Sequence, residues 1–316
     1  MTLKVGVIGV GEMGRHHARV YSEMDKVELT GIADIDKNVS KEIAKKYNTE
    51  AFTDYKKFLS EDIDAVSIAV PTKLHKEIAI HAMNNGVNVL IEKPIADSLN
   101  AADEIINTAI KNDVKLMVGH IERFNPAILT FKRNQHKLGK IVSISARRVG
   151  PYNPRIRDVG IIIDLGVHDI DIMCYIYSEH ILSVHAYAGS IFHTFEDYAS
   201  ILLGFSNGNS GAIETNWLTP HKVRRLTVTG TEGIAYVDYI KQKVKFFTEK
   251  GFELIKVERK EPLINELRHF IDCIRRDKQP IVGGREGRHA LEVALSAVES
   301  YKSYKVVTIP QKKKDI

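Results

Sequence analysis

The chain has 316 residues, 45 Lys and Arg against 40 Asp and Glu, 44% hydrophobic and 27% charged residues. That length suggests two domains, and the composition is ordinary globular usage, which excludes a disordered, collagen-like or disulfide-stapled chain. Cys174 and Cys273 fit a reducing interior, no apolar run approaches the roughly 18 residues of a membrane span, and residues 1–8 enter a strand without a signal-peptide stretch. A cytoplasmic protein is expected. The net charge of +5 is spread thinly, with Lys312-Lys313-Lys314 read as a solvated tail. Neither zinc-finger spacing nor an aromatic RNA motif occurs, so no nucleic-acid or membrane partner is expected.

In chain order, an apolar run at 5–10 ends in glycine, and helical spacing follows from 14 to about 24. A second strand at 27–33 ends at Asp34, and 39–47 read as a helix. The apolar run 64–70, closed by Pro71, precedes a helix over 73–85 that stops at Gly86, a natural cap. A strand at 87–91 is cut off by Pro94, a helix covers 98–112, and 114–118 form one more strand. Strands separated by helices predict a parallel sheet covered on both faces. Past Gly119 the pattern changes. A helix over 125–137 leads to an alternating strand at 141–149, a Pro- and Arg-rich loop at 150–159 and a helix over 165–177. From 183 to 257 strands and turns dominate, which predicts an antiparallel sheet. Helical spacing returns at 263–276 and 287–302. The expected division is 1–120 and 121–316, leaving open that the helix at about 287–303 packs back on the first domain.

Gly9-Val10-Gly11-Glu12-Met13-Gly14 fits G-x-G-x-x-G, after the first strand and at the start of the first helix. Glycines allow a tight turn and close approach of backbone to a pyrophosphate, and the helix N-terminus offers free N–H groups. Asp34, twenty residues after Gly14, suits the two ribose hydroxyls and repels a 2′-phosphate. Ile35 follows it rather than an arginine, so NAD is expected over NADP, with Lys37 the only nearby cation against this.

Glu92-Lys93-Pro94 closes the strand at 87–91, where open α/β sheets bind ligands. A lysine there can hold or move a proton. Asp164-Leu165-Gly166-Val167-His168 places a carboxylate and an imidazole four apart, on one face if the segment is helical. An imidazole suits removal of a hydroxyl proton. The bland alternatives are a surface lysine, a capping aspartate and a core histidine. Metal binding is not expected: His16 and His17 follow the glycine loop, and His180, His185 and His193 lack ligand spacing. Trp217 could stack on a uracil or sugar, or serve packing only.

The glycine motif, Val70-Pro71-Thr72-Lys73-Leu74-His75, Glu92-Lys93-Pro94, Asp164…His168 and the turn Gly230-Thr231-Glu232-Gly233, in this order, resemble the glucose–fructose oxidoreductase/inositol dehydrogenase family (Gfo/Idh/MocA). The resemblance spans nearly the whole chain. It implies an α/β protein with an N-terminal Rossmann doubly wound parallel sheet and a C-terminal α+β domain built on a large open, mainly antiparallel sheet. It implies an NAD-dependent dehydrogenase moving a hydride from a ring carbon of a sugar or cyclitol. Lys93, Asp164 and His168 become the catalytic trio. Gly9, Gly11, Glu12, Met13, Gly14, Asp34, Pro71, Thr72, His75, Glu92 and Lys93 become the cofactor-binding set. The sheet implies a homodimer or homotetramer.

Substrate identity rests on Arg123, Arg148, Tyr152, Arg155 and Arg157. Four arginines, from Arg147 to Arg157, fall within eleven residues just before the catalytic segment. Guanidinium forks suit phosphate oxygens. This resembles the family's branch acting on UDP-N-acetylglucosamine, which implies oxidation of the 3-hydroxyl to a 3-keto sugar. The same arginines would equally pair with Asp158, Asp164 or Glu122, or line a subunit contact. Other sugars, inositol, a UDP-aminouronate and a non-catalytic nicotinamide-binding regulator remain as alternatives.

Overall fold

The computed structural model describes residues 2–152 and 159–310. Two compact units result. One runs to Ile121 and includes Glu261–Arg288, and the other runs from Glu122 to Lys260 and resumes at His289.

The first unit contains β1 (Leu3–Ile8), α1 (Glu12–Ser22), β2 (Val27–Ala33), α2 (Lys37–Tyr47), β3 (Glu50–Phe52), α3 (Tyr55–Phe58), β4 (Ala65–Ile68), α4 (His75–Asn84), β5 (Asn88–Glu92), α5 (Leu99–Lys111) and β6 (Leu116–Gly119). Its six strands are parallel in the order β3-β2-β1-β4-β5-β6. The order reverses between β1 and β4, the position at which such sheets bind nucleotides. Central strands are apolar on both faces: Val5, Val7, Ala65, Val66 and Leu90 are fully buried. Asp36 accepts hydrogen bonds from Asn38 N–H and Val39 N–H, so α2 starts two residues ahead of its apolar pattern. The short β3 and α3 have no periodic signal; the Phe52 and Phe58 rings, 4.9 Å apart, hold them to the sheet.

In the second unit lie α6 (Pro126–Asn134), β7 (Ile141–Pro151), α7 (Val167–Tyr177), β8 (Ile181–Gly189), β9 (Tyr198–Phe205), β10 (Ser210–Asn216), β11 (Leu218–Gly230), β12 (Gly233–Asp238), β13 (Lys243–Thr248) and β14 (Gly251–Ile255). Next come α8 (Pro262–Arg275), α9 (Gly284–Ser303) and β15 (Val307–Thr308). The nine-stranded sheet runs β14-β13-β12-β11-β7-β10-β9-β8-β15, with β7 and β10 parallel and the other pairs antiparallel. One face shares a hydrophobic core with α6, α7 and the later turns of α9. The other exposes Tyr198, Leu202, Tyr236 and Phe247, each one residue out of step with a buried neighbour.

Residues 261–288 cluster with the first unit, although a division at 120/121 assigned them to the second. Helix α8 packs on α1. Leu263, Leu267, Phe270 and Ile271 are buried, and Arg19 meets Glu261 at 2.5 Å. Among the described residues no helix is long and apolar enough to cross a membrane.

Candidate active site

The glycine turn lies between β1 and α1, against the end of β4. Gly9 has φ +84°, and a side chain there would strike Ala69 and Val70. A Cβ on Gly14 would fall 1.8 Å from the Gly9 carbonyl oxygen, so the first turn of α1 rests directly on the loop. Gly11 differs, because a Cβ there would meet nothing within 4 Å. No side chain caps α1, and Glu12 and Met13 form its first turn. A helix N-terminus whose capping residue is a glycine with open space at its Cβ suits a pyrophosphate. Asp34 stands beside this turn. Its Oδ2 accepts from Val10 N–H at 2.8 Å and its Oδ1 from Asp36 N–H at 2.9 Å. Each oxygen keeps a lone pair for a ribose hydroxyl. Ile35 is 92% exposed next to it and brings no positive charge for a 2′-phosphate. These residues fit NAD.

Pro71 is exposed and Thr72 half-buried in the turn after β4. His75 lies deeper, at 1% exposure, with Nδ1 3.0 Å from Pro94 O and Nε2 3.0 Å from Val70 O. It lies between the β4 and β5 loops, one ring nitrogen within hydrogen-bond distance of each, and does not cap α4 with its side chain. Burial lowers its pKa, against the pull of both carbonyls and of Glu92. Glu92 is also turned inward, with Oε1 3.0 Å from His17 Nε2. Burial would raise its carboxyl, but the hydrogen bond from His17, with the charge of Lys93 beyond, holds it below the usual carboxylate range. Lys93 is half-buried and joined to Pro94 by a cis peptide bond.

The second unit carries Asp164 and His168. A single π-turn, Ile162–Gly166, precedes α7, where the sequence predicted a plain helix from 165. Such turns recur at functional sites because they re-aim side chains at some cost in helix energy. Asp164 is half-buried on the π-turn and His168 is 8% exposed on the first turn of α7. Glu196 anchors the turn: Ile161 N–H donates to its carbonyl at 2.9 Å and Ile162 N–H to its Oε1 at 3.3 Å. Its carboxyl fills the space a Cβ on Gly160 would need.

The arginine expectation needs correction. Arg148 is 1% exposed and bonds Asp169 through Nε at 2.8 Å and Nη2 at 3.1 Å, and Glu122 through Nη1 at 2.8 Å. Arg123, also buried, bonds Asp171 at 2.8 and 2.6 Å. Neither guanidinium is presented as an anion receptor. Both neutralise carboxylates on α7, a helix otherwise packed in the core, where unpaired charge is costly. They link the helix that carries His168 to β7 and to the segment at 122–123. Arg148 takes the Glu122 pairing that the sequence left open. Tyr152 stacks on His193 at 3.6 Å between ring centres and meets the edge of Trp217 at 5.3 Å. Arg155 and Arg157 lie outside the described residues.

Sequence reasoning missed Glu196 and Arg224, and weighed His193 only as a metal ligand. Arg224, opposite Arg148 in the β7–β11 register, is 3.6 Å from Glu122 and feels the charge of Asp164. Strand alternation was the available signal for Arg224, whereas the other two residues sit in an irregular loop. Among the described residues no cluster of His, Cys, Asp and Glu is arranged to hold a metal ion.

The sheet order, the glycine turn and the aspartate beside it define a dinucleotide-binding fold. Residues 3–120 match the oxidoreductase family Gfo/Idh/MocA, NAD-binding Rossmann fold, and residues 133–236 match the Gfo/Idh/MocA C-terminal domain. The chain belongs to the Gfo/Idh/MocA family and is an NAD-dependent dehydrogenase. It is 29% identical to UDP-N-acetylglucosamine 3-dehydrogenase of Acidithiobacillus ferrooxidans, over 95% of this chain and 98% of that one. A solved structure of UDP-N-acetylglucosamine 3-dehydrogenase from that organism superposes with a TM-score of 0.91 at 28% identity, covering 96% of this chain and 99% of the other. The scyllo-inositol 2-dehydrogenase (NAD(+)) of Bacillus subtilis is 28% identical, over 95% and 94% of the two chains.

Proposed function

We propose that this dehydrogenase oxidises a ring hydroxyl of a nucleotide sugar, the 3-hydroxyl of UDP-N-acetylglucosamine, to the ketone. The observation that carries the reading is the full-length likeness to an enzyme of that name. NAD, when bound, supplies the acceptor for the hydride of the carbinol carbon. Lys93, Asp164 and His168 form the catalytic trio. His168 accepts the proton of the reacting hydroxyl. Asp164 orients the imidazole or the hydroxyl, and Lys93 donates a hydrogen bond to the same oxygen as negative charge develops on it. Tyr152, Arg155 and Arg157 complete the substrate contacts. The internal pairing of Arg123 and Arg148 keeps a second reading alive, a neutral cyclitol, and relatives of that activity are as similar.

The test is NADH appearance by near-ultraviolet absorbance, with UDP-N-acetylglucosamine, UDP-N-acetylglucosaminuronate, myo-inositol and glucose in parallel. Turnover of the first alone supports the nucleotide sugar, and turnover of myo-inositol alone replaces it with the cyclitol. Full activity of Lys93→Ala would remove that residue from the trio. The exposed apolar face of the large sheet supports a homodimer or homotetramer, and Leu202→Glu should dissociate it in light scattering after gel filtration.

A further inference from the structure

Behind the nucleotide loop runs a chain of four buried polar side chains to which the reaction above gives no part. Tyr21 OH lies 2.9 Å from Ser67 Oγ, Ser67 Oγ 3.0 Å from His17 Nδ1, and His17 Nε2 3.0 Å from Glu92 Oε1. Tyr21, His17 and Ser67 are 0% exposed and Glu92 9%. The chain joins three elements of the switch point. His17 and Tyr21 are on α1, which opens at the glycine turn; Ser67 is on β4; and Glu92 is the last residue of β5, peptide-bonded to Lys93.

The chemistry orders these bonds. An ionised Glu92 only accepts, so His17 Nε2 carries the hydrogen. With a neutral ring, Nδ1 accepts from the Ser67 hydroxyl, whose oxygen accepts from Tyr21. Every donor then has one acceptor. A second proton on the ring would make Ser67 Oγ accept from Nδ1 and leave one hydroxyl proton, of Ser67 or of Tyr21, without an acceptor in the chain. The titratable groups that act on this chain are Lys93 and His75, on Glu92, and Glu266 of α8, on Tyr21. A buried set of this kind adds little stability compared with apolar side chains of the same volume. What it adds is position.

We propose that His17 is a positioning residue that, through Glu92, sets the main chain carrying Lys93 against the helix that carries the glycine turn. This rests on the reading of Lys93 as the group that bonds the reacting oxygen. The glycine turn is held separately, by Gly9 N–H on Ala33 O and Val10 N–H on Asp34. Loss of the His17–Glu92 bond therefore displaces Lys93 while the glycine turn keeps its own anchors.

The experiment compares His17→Asn and His17→Gln, each alone and with Lys93→Met, using UDP-N-acetylglucosamine, or myo-inositol if only that is turned over. Asparagine reaches the place of Nδ1 and keeps Ser67; glutamine reaches the place of Nε2 and restores a donor to Glu92. In His17→Asn, kcat should fall about 10- to 100-fold, as for a misplacement of about 1 Å, with KM for NAD within about threefold. His17→Gln should recover most of kcat. On the Lys93→Met background, His17→Asn should change the residual rate less than about twofold, because the two act as a unit. A readout without turnover is the trace acetylation of Lys93, followed by mass spectrometry. Its rate should change at least about threefold in His17→Asn and return in His17→Gln, as a moved amine changes its surroundings.

Equal loss in the Asn and Gln variants, no loss in either, or losses that multiply with Lys93→Met would overturn the proposal. Full turnover of Lys93→Met alone would instead overturn the catalytic reading of that lysine. If His17→Asn does not fold, judged by NADH fluorescence, Ser67→Ala takes its place. Its drop in kcat should vanish on the Lys93→Met background, and persistence there would refute the coupling.

Discussion

Arg148→Met separates an internal structural role from substrate binding. The substitution keeps the side chain's length and removes the charge. It takes three hydrogen bonds from Asp169 and Glu122, whose side chains are 1% and 9% exposed. Removing one partner from a buried ion pair costs about 3–5 kcal/mol, because the remaining charge is left desolvated. Arg224 stays 3.6 Å from Glu122, so Asp169 is the group left bare and the lower end, about 3 kcal/mol, applies. For a unit of this size that corresponds to a fall of about 6–12 °C in the melting transition. Scanning calorimetry at pH 7 and pH 5 measures it. In the variant the stranded carboxylates have folded-state pKa values above their unfolded ones, so the folded protein binds extra protons as pH drops. The deficit should therefore narrow toward pH 5. A loss below about 1 kcal/mol, together with a raised KM for the sugar, would refute the argument and return Arg148 to the substrate site.

Other outcomes follow from the first unit. Gly14→Ala should destabilise it by about 1–3 kcal/mol, as overpacking does, since the new methyl meets a backbone oxygen. Gly11→Ala should leave melting unchanged and weaken NADH binding, because its methyl enters the space left for the pyrophosphate, as fluorescence titration would show. Asp34→Ala should weaken NAD by about 10- to 150-fold, the worth of a hydrogen bond to a charged group, and narrow the preference over NADP. The lowered pKa of His75 means that the unfolded chain takes up a proton first as pH falls below about 6.5, so stability drops with acid there. Each unit of depression contributes about 1.4 kcal/mol. His75→Asn should melt with a shallower dependence between pH 7 and pH 5.

The Rossmann half was legible because its signals are local. Alternating apolar strands and helices, a glycine turn and an aspartate at a fixed distance depend on neighbours within some thirty residues. Only β3 and α3 escaped, being too short to show a period. The π-turn escaped for another reason. Its extra residue is held by Glu196, thirty-two positions after Asp164, and no helical pattern records that partner. Arg123 and Arg148 pair internally, unlike the expectation, because the motif gives residue type and spacing, whereas the role of a guanidinium depends on which carboxylate the fold brings to it.

The sequence by itself determined the two-part architecture, the NAD-binding turn and the family, because periodicity and glycine spacing are properties of the chain as written. The tertiary structure alone decided that Arg148 and Arg123 neutralise α7 and that His75 lies between the β4 and β5 loops with Glu92 turned inward. It also decided that His17 closes a hydrogen-bond chain to Lys93's neighbour. These are matters of burial and charge pairing, and a buried ion or donor must find its partner across any distance in sequence.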